Sequence, residues 1–183
     1  MKKEKKFVIF KTLSILAASA VLAAISIVLG KYLAIPVGEV MRFSFENLPI
    51  ILAGMLFGAP VGTAVGACAD LIGCVLVGYT VNPAVTAGAC AIGFISGVVY
   101  RFLSHSPLSV RVTVSVISAH FLGSVIIKTL GLSAFYSIPF YALFLWRLLN
   151  YAIVGVLEGA ILLYLLKNRT FMAEVNSILR KKK

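Results

Sequence analysis

Residues 47–100 read NLPIILAGMLFGAPVGTAVGACADLIGCVLVGYTVNPAVTAGACAIGFISGVVY, and Asp70 is the one charged side chain among them. A stretch this long with a single charge cannot coat itself against water, so its internal punctuation has to come from turn residues. Gly58-Ala-Pro60 supplies one break and Gly78-Tyr-Thr-Val-Asn-Pro83 the next, because Pro cannot continue a helix from before it and Gly ends one readily. The reading predicts helices near 47–58, 60–77 and 84–102. A hydrocarbon core about 30 Å thick takes about 20 residues of helix. The second and third segments fit that length, whereas the first is short for an upright crossing unless it begins near Arg42 or is sheltered by its neighbours.

Working outward, the pattern holds for the whole chain. Of 183 residues 61% are hydrophobic and 13% charged, against roughly half and a quarter in soluble domains. A water-soluble globule is thereby excluded. The uncharged run Thr12–Gly30 predicts a first helix, the charged stretch Lys31 to Glu46 a loop, and residues 111–131 and 141–166 two more helices separated by a break from Ser133 to Pro139. The expectation is an all-α membrane protein with six transmembrane helices in one bundle. Residues 1–183 then form a single domain with basic tails at about 1–6 and 167–183. The opening also has the shape of a secretory signal, ending in Ala17-Ala-Ser-Ala20, but its apolar run exceeds a signal's and further spans follow, which favours a retained helix.

The net charge of +11 does not point to nucleic acid, because the cations gather at the ends: Lys2, Lys3, Lys5 and Lys6 at the start, Arg180 to Lys183 at the close. Both termini are therefore expected in the cytoplasm. In the six-span arrangement four basic residues fall at or near the outer side instead, Lys31, Arg42, Lys128 and Arg147, and the inside bias does not account for them. Cys68, Cys74 and Cys90 form no CxxC pair and read as small buried hydrophobes; no metal site is expected.

Ionisable groups at membrane depth are costly and usually paired or functional. Arg147, Asn150, Tyr151, Val154 and Glu158 share one stripe of the last helix, and His120, Ser124 and Lys128 follow at steps of four on the helix before it. One reading zips the two stripes into a polar seam, with His120, Ser124 and Glu158 as its members; the other turns them toward a ligand. Lys128 and Arg147 lie near the outer ends of their helices with no equal number of anions evident nearby, so a pocket open to the outside suits an anionic ligand. The segment Arg42-Phe-Ser-Phe-Glu-Asn-Leu-Pro49 mixes charge, rings and amide. Tyr79, Asn82, Phe135, Tyr136, Tyr141 and Trp146 bring rings and donors to the other outer connections. Interfacial preference explains many such rings, yet the combination also fits a flat heteroaromatic ligand. Glu46 can accept a pair of N–H bonds from it, with Asn82 and Asn150 as mixed donors and acceptors. Asp70 follows Gly58, Gly62 and Gly66 at steps of four, and is expected to be structural, bonding a neighbouring helix. On helix one, Ala17, Ala20 and Ala24 line one side and would let another helix approach closely.

No catalytic constellation is expected. Ser96 in Gly93-Phe-Ile-Ser-Gly97, with His120 on the next helix, is the nearest approach to an intramembrane serine protease, but its glycine stands one residue off. Gly123-Ser-Val-Ile-Ile-Lys-Thr129 lacks the second glycine of a phosphate-cradling loop. Internal repeats typical of self-contained transporters are not visible, so a binding subunit driven from elsewhere fits best.

The chain resembles the substrate-binding S components of energy-coupling factor (ECF) vitamin transporters, and most closely their folate-specific type. The likeness is carried by Arg42-Phe-Ser-Phe-Glu-Asn-Leu-Pro-Ile50, Ala53-Gly-Met-Leu-Phe-Gly58, Ala69-Asp-Leu-Ile-Gly73, Leu76-Val-Gly-Tyr-Thr-Val-Asn-Pro83, Lys128-Thr-Leu-Gly-Leu132 and Trp146-Arg-Leu-Leu-Asn-Tyr151. The resemblance implies a six-helix protein of the bacterial cytoplasmic membrane that captures vitamin outside. It would then join a membrane-embedded coupling protein (T component) and two ATPases, and topple to present its pocket inward. It implies docking through small residues of helix one, where Ala20 and Ala24 match one Ala-x-x-x-Ala repeat and Leu16 and Val28 interrupt it. For folate, the pterin is expected near Glu46, Asn82, Trp146 and Asn150, with the glutamate tail toward Arg42, Lys128 or Arg147, and Phe45 and Tyr79 are also expected among the substrate-binding residues. No cofactor is implied. Two alternatives stay open at this stage: an S component for another vitamin, and the membrane enzyme built on Ser96.

Overall fold

The computed structural model describes residues 2–37 and 41–179, with side chains from Leu13 to Pro36 and from Phe43 to Leu179. The first helix, α1 (Lys2–Ile27), runs on through a π-helical turn (Val28–Tyr32) into two short antiparallel strands, β1 (Ile35–Val37) and β2 (Met41–Phe43), in which Ile35 pairs with Phe43. Then come α2 (Asn47–Phe57), α3 (Ala59–Val77) and α4 (Pro83–Phe102). A single long rod follows, made of α5 (Leu108–Ala119), a π segment (His120–Ile127) and α6 (Lys128–Tyr136), and the chain ends with α7 (Phe140–Lys167) and α8 (Arg169–Leu179).

Five of these stretches are long and apolar enough to cross a membrane: Leu13–Tyr32, Ala59–Val77, Pro83–Phe102, Leu108–Tyr136 and Phe140–Lys167. The protein is thus all-helical in its spans and multi-pass. The segment α2 stands apart, since its 11 residues rise only about 16 Å. Its sides are covered by other helices, with Ile51 and Ala53 wholly buried, which is how a short helix is tolerated at membrane depth.

Glycine sets the packing. Lipid offers no hydrophobic drive between helices, so close van der Waals approach of backbones has to hold them. A Cβ on Gly93 would stand 2.1 Å from the Gly62 carbonyl oxygen, one on Gly66 2.3 Å from the Ala89 oxygen, and one on Gly54 2.3 Å from Ser96 Oγ. The glycine row of α3 therefore turns into α4 at Gly66 and into both α4 and α2 at Gly62, where an added Cβ would meet the Gly93 carbonyl oxygen at 2.6 Å and Gly54 Cα at 2.7 Å. Gly58, at φ 98°, makes the reversal from α2 to α3, and Gly78, at φ 71°, closes α3 in the left-handed conformation open to glycine. At the next start Asn82 caps α4: its side-chain oxygen accepts the Ala84 N–H at 3.0 Å, with Pro83 at the first helical position.

Three boundaries differ from the sequence expectation. The helix expected to end before Ser133 continues to Tyr136, and the chain reverses at Ser137, φ 55°, where Ser133 Oγ donates to the Ile138 carbonyl at 2.7 Å. The Lys31–Glu46 connection carries the rest of the π turn and both strands. Part of the basic tail is the helix α8, whose Val175 is buried, with Phe171 and Met172 half-buried against the bundle.

Candidate functional site

Lys31 lies in the π turn that ends α1, Asp70 and Cys74 lie on α3, Thr86 is in the first turn of α4, Lys128 begins α6, and Arg147, Asn150 and Tyr151 sit on the third and fourth turns of α7. These positions all come to one end of the bundle. A cavity of about 90 Å³ lies among Lys31, Asp70, Lys128, Arg147, Asn150 and Tyr151, bounded also by Ser44 and Glu46 of the segment that follows the strands. Lys128, 3% exposed, donates to Glu46 Oε1 at 3.0 Å. Lys31 Nζ stands 4.0 Å from Asp70 Oδ1, 3.8 Å from Cys74 Sγ and 5.9 Å from the centre of the Tyr79 ring. Thr86 Oγ1 donates to Asp70 Oδ2 at 2.6 Å.

Arg147 is held differently. Its Nε donates to the Ser124 carbonyl at 2.9 Å and its Nη2 to the Tyr151 hydroxyl at 3.4 Å, and among the described residues no carboxylate lies within ion-pair distance of it. Among the described residues, three cations around the cavity, Lys31, Lys128 and Arg147, face two carboxylates, Glu46 and Asp70. A third anion brought by a ligand would balance the set.

The structure brings Glu46, Lys128, Arg147 and Asn150 of the expected site to the cavity wall. Asn82 does not border it: the amide serves as the α4 cap and donates to the Gly131 carbonyl at 3.4 Å. Trp146 is 52% exposed on the outer face of α7, Tyr79 is 51% exposed, and Phe45 is half-buried off the wall. The side chain of Arg42 lies outside the described residues; its backbone pairs with Pro36. Lys128 pairs with Glu46 and Lys31 with Asp70, while Arg147 has no carboxylate within ion-pair distance among the described residues, so the anions stay fewer than the cations as expected. Asp70 does bond a neighbouring helix as expected, yet it is also part of the cavity wall. Lys31, Ser44, Asp70 and Tyr151 are the polar wall residues missing from the expected site, beside the apolar Val85 and Leu132. The unexplained outer cation was the signal for Lys31, and the α7 stripe was the signal for Tyr151.

Below this cavity the two stripes meet. His120 Nε2 lies 2.6 Å from Glu158 Oε2, both groups buried, and the imidazole stacks on Tyr151 at 4.9 Å. The polar-seam reading therefore holds for His120 and Glu158. A wider trough of about 540 Å³ runs beside them between α5 and α7, but its lining is apolar except for Thr113, His120 and Tyr151. Lys31, Lys128 and Arg147 are not among its lining residues, and it suits hydrocarbon better than a charged ligand. Ser96 is wholly buried and donates to the Gly93 carbonyl at 3.0 Å, while His120 is engaged by Glu158. The pair needed for a serine protease is not assembled.

A bundle of apolar helices with a small charged cavity at one end describes a membrane receptor for a polar solute. The chain belongs to the family "ECF transporter, substrate-specific component", whose model matches residues 14–171, a family of substrate-binding transporter subunits and not of enzymes. Among solved structures it is similar to FolT bound with folic acid, at 26% identity and TM-score 0.68, covering 85% of this chain and 95% of that one. The S-component for biotin from an ECF-type ABC transporter shares the fold, at 21% identity and TM-score 0.62, covering 88% of this chain and 95% of that one. No curated protein matches the chain.

Proposed function

We propose that this protein is the folate-binding subunit of an ECF-type importer, capturing folate at the outer face of a bacterial cytoplasmic membrane and passing it inward with a separate ATP-driven module. The observation that carries the reading is the cavity with one cation more than its carboxylates, two of the cations being buried lysines in ion pairs. Folate brings two carboxylates on its glutamate tail and a pterin edge of amide and amino groups. The likeness to FolT with folic acid bound supports the same ligand class.

Drug-sized ligands occupy roughly 300–1,000 Å³, so a cavity of about 90 Å³ has to widen to admit folate. The Lys128–Glu46 pair joins α6 to the segment after the strands, and that segment is tied to α1 through Ser26 Oγ and the Glu46 carbonyl at 2.6 Å. A ligand carboxylate that takes Glu46's place on Lys128 frees this segment to move outward. Arg147 then meets the second carboxylate, and Asn150 and the released Glu46 are available to the pterin edge. Phe45, Tyr79 and Trp146 would reach the rings only with such a rearrangement.

In this reading α2 completes a sixth crossing, and both termini lie in the cytoplasm with the cavity outside. A T component and two ATPases dock on α1, where Ala17, Ala20 and Ala24 are exposed on one face. The test is the ligand retained by protein purified in detergent, read by ultraviolet spectrum and mass. A pterin chromophore with the mass of folate is expected; a neutral vitamin in its place overturns the folate assignment.

A further inference from the structure

Tyr151 borders two hollows at once, the charged cavity and the apolar trough. One turn on from Tyr151 stands Gly155, where an added Cβ would meet His120 Cδ2 first, at 3.5 Å. What orients the ring is the imidazole of His120, stacked at 4.9 Å and 26°, and what orients the imidazole is Glu158 at 2.6 Å. The same ring meets Arg147, whose guanidinium carbon is 5.4 Å from the ring centre and whose Nη2 donates to the hydroxyl.

We propose that His120 and Glu158 are positioning residues for anion recognition: through the stacked ring of Tyr151 they hold the Arg147 guanidinium aimed at the ligand's carboxylate. The π segment contributes the second point of attachment. In it the Lys128 N–H bonds back five residues to the Gly123 carbonyl, and the next carbonyl, that of Ser124, accepts Arg147 Nε at 2.9 Å. With Nε and Nη2 so engaged, Nη1 makes no hydrogen bond to any described residue and is the donor left for a ligand. A flexible arginine loses rotamer freedom when it binds, and one already held loses less. A fully buried carboxylate is a costly way to fill space that a leucine would fill, which argues that the pair is kept for orientation.

The inference rests on the folate reading, and its test uses two ligands: folate, and folate with both glutamate carboxylates converted to amides. The double variant His120→Leu/Glu158→Leu removes both partners together, so no charge is stranded. It should bind folate about tenfold more weakly than wild type while its affinity for the diamide stays within about twofold. Restoring an aromatic face with His120→Phe/Glu158→Leu should recover most of the loss. In an Arg147→Ala background the leucine pair should change folate affinity by less than about twofold, because the group being positioned is gone. Equal losses for both ligands, or a full loss persisting without Arg147, would mean a role in packing only and overturn the proposal. Should the leucine pair not fold, Tyr151→Phe leaves the His120–Glu158 pair in place and must show the same discrimination between ligands. Wild-type protein that ignores folate sinks the parent reading and this one together; wild type that binds it with indifferent variants sinks this one alone.

Discussion

Lys128 shows how charge is kept at membrane depth. Its ammonium is buried and its partner Glu46 is only a quarter exposed, so removing one member takes from the other the ion pair that offsets its poor solvation. Lys128→Met is expected to destabilise the empty protein by roughly 3 kcal/mol, while Lys128→Met/Glu46→Gln should regain most of it; thermal unfolding in detergent measures both. Residues on a common helical stripe were legible in the sequence, because steps of three and four put His120, Ser124 and Lys128, and likewise Arg147, Asn150, Tyr151 and Glu158, on one face. The partners they find were not. Lys128 meets Glu46 and Lys31 meets Asp70 across helices far apart in the chain, and no periodicity encodes that. Asn82 was misread for a different reason: an asparagine before proline and an apolar run is also a helix-cap signature, and here the cap takes its amide.

At the scale of elements, composition and turn residues located every long helix, because lipid solvation demands about 20 apolar residues in a row and Gly and Pro mark the ends. The π segment at His120–Ile127 left no mark, since one extra residue in a helix changes neither composition nor hydropathy. The helix α8 was masked by the basic charge around it, although Phe171, Met172 and Val175 recur at helical spacing. The α3–α4 contact permits a firm expectation. Gly93→Val would drive side-chain atoms into the Gly62 backbone, at a cost of about 3 kcal/mol or more, and should appear as lost monodisperse protein on size exclusion. The exposed face of α1 gives the opposite case. Ala20→Trp or Ala24→Trp should abolish folate uptake by cells while the purified variant binds folate as wild type does; loss of both would mark misfolding, and loss of neither would remove this face from docking.

For the molecule as a whole, membership of the substrate-specific components and the fold shared with two S components make this chain the receptor half of a transporter. Its five long spans and short α2 were nearly all readable from the sequence, as was the placement of surplus cations at one end. The cavity's small size was not, because it depends on which charged side chains pair across helices far apart in the chain. A receptor that borrows its energy should exchange nothing across a bilayer on its own. Reconstituted alone in liposomes, the protein is expected to leave internal folate unchanged over time, and accumulation without ATPase partners would refute the division of labour.

The central claim is that the charged cavity binds an acidic, ring-bearing vitamin through Arg147. Titration calorimetry of the purified wild type with folate, beside Arg147→Ala, tests it most directly. Saturable binding at one folate per chain is expected, weakened at least about tenfold in the variant, since a charge-assisted bond to a carboxylate contributes about 1.5–3 kcal/mol. Equal affinities in the two proteins, or no heat from folate in either, would contradict the account.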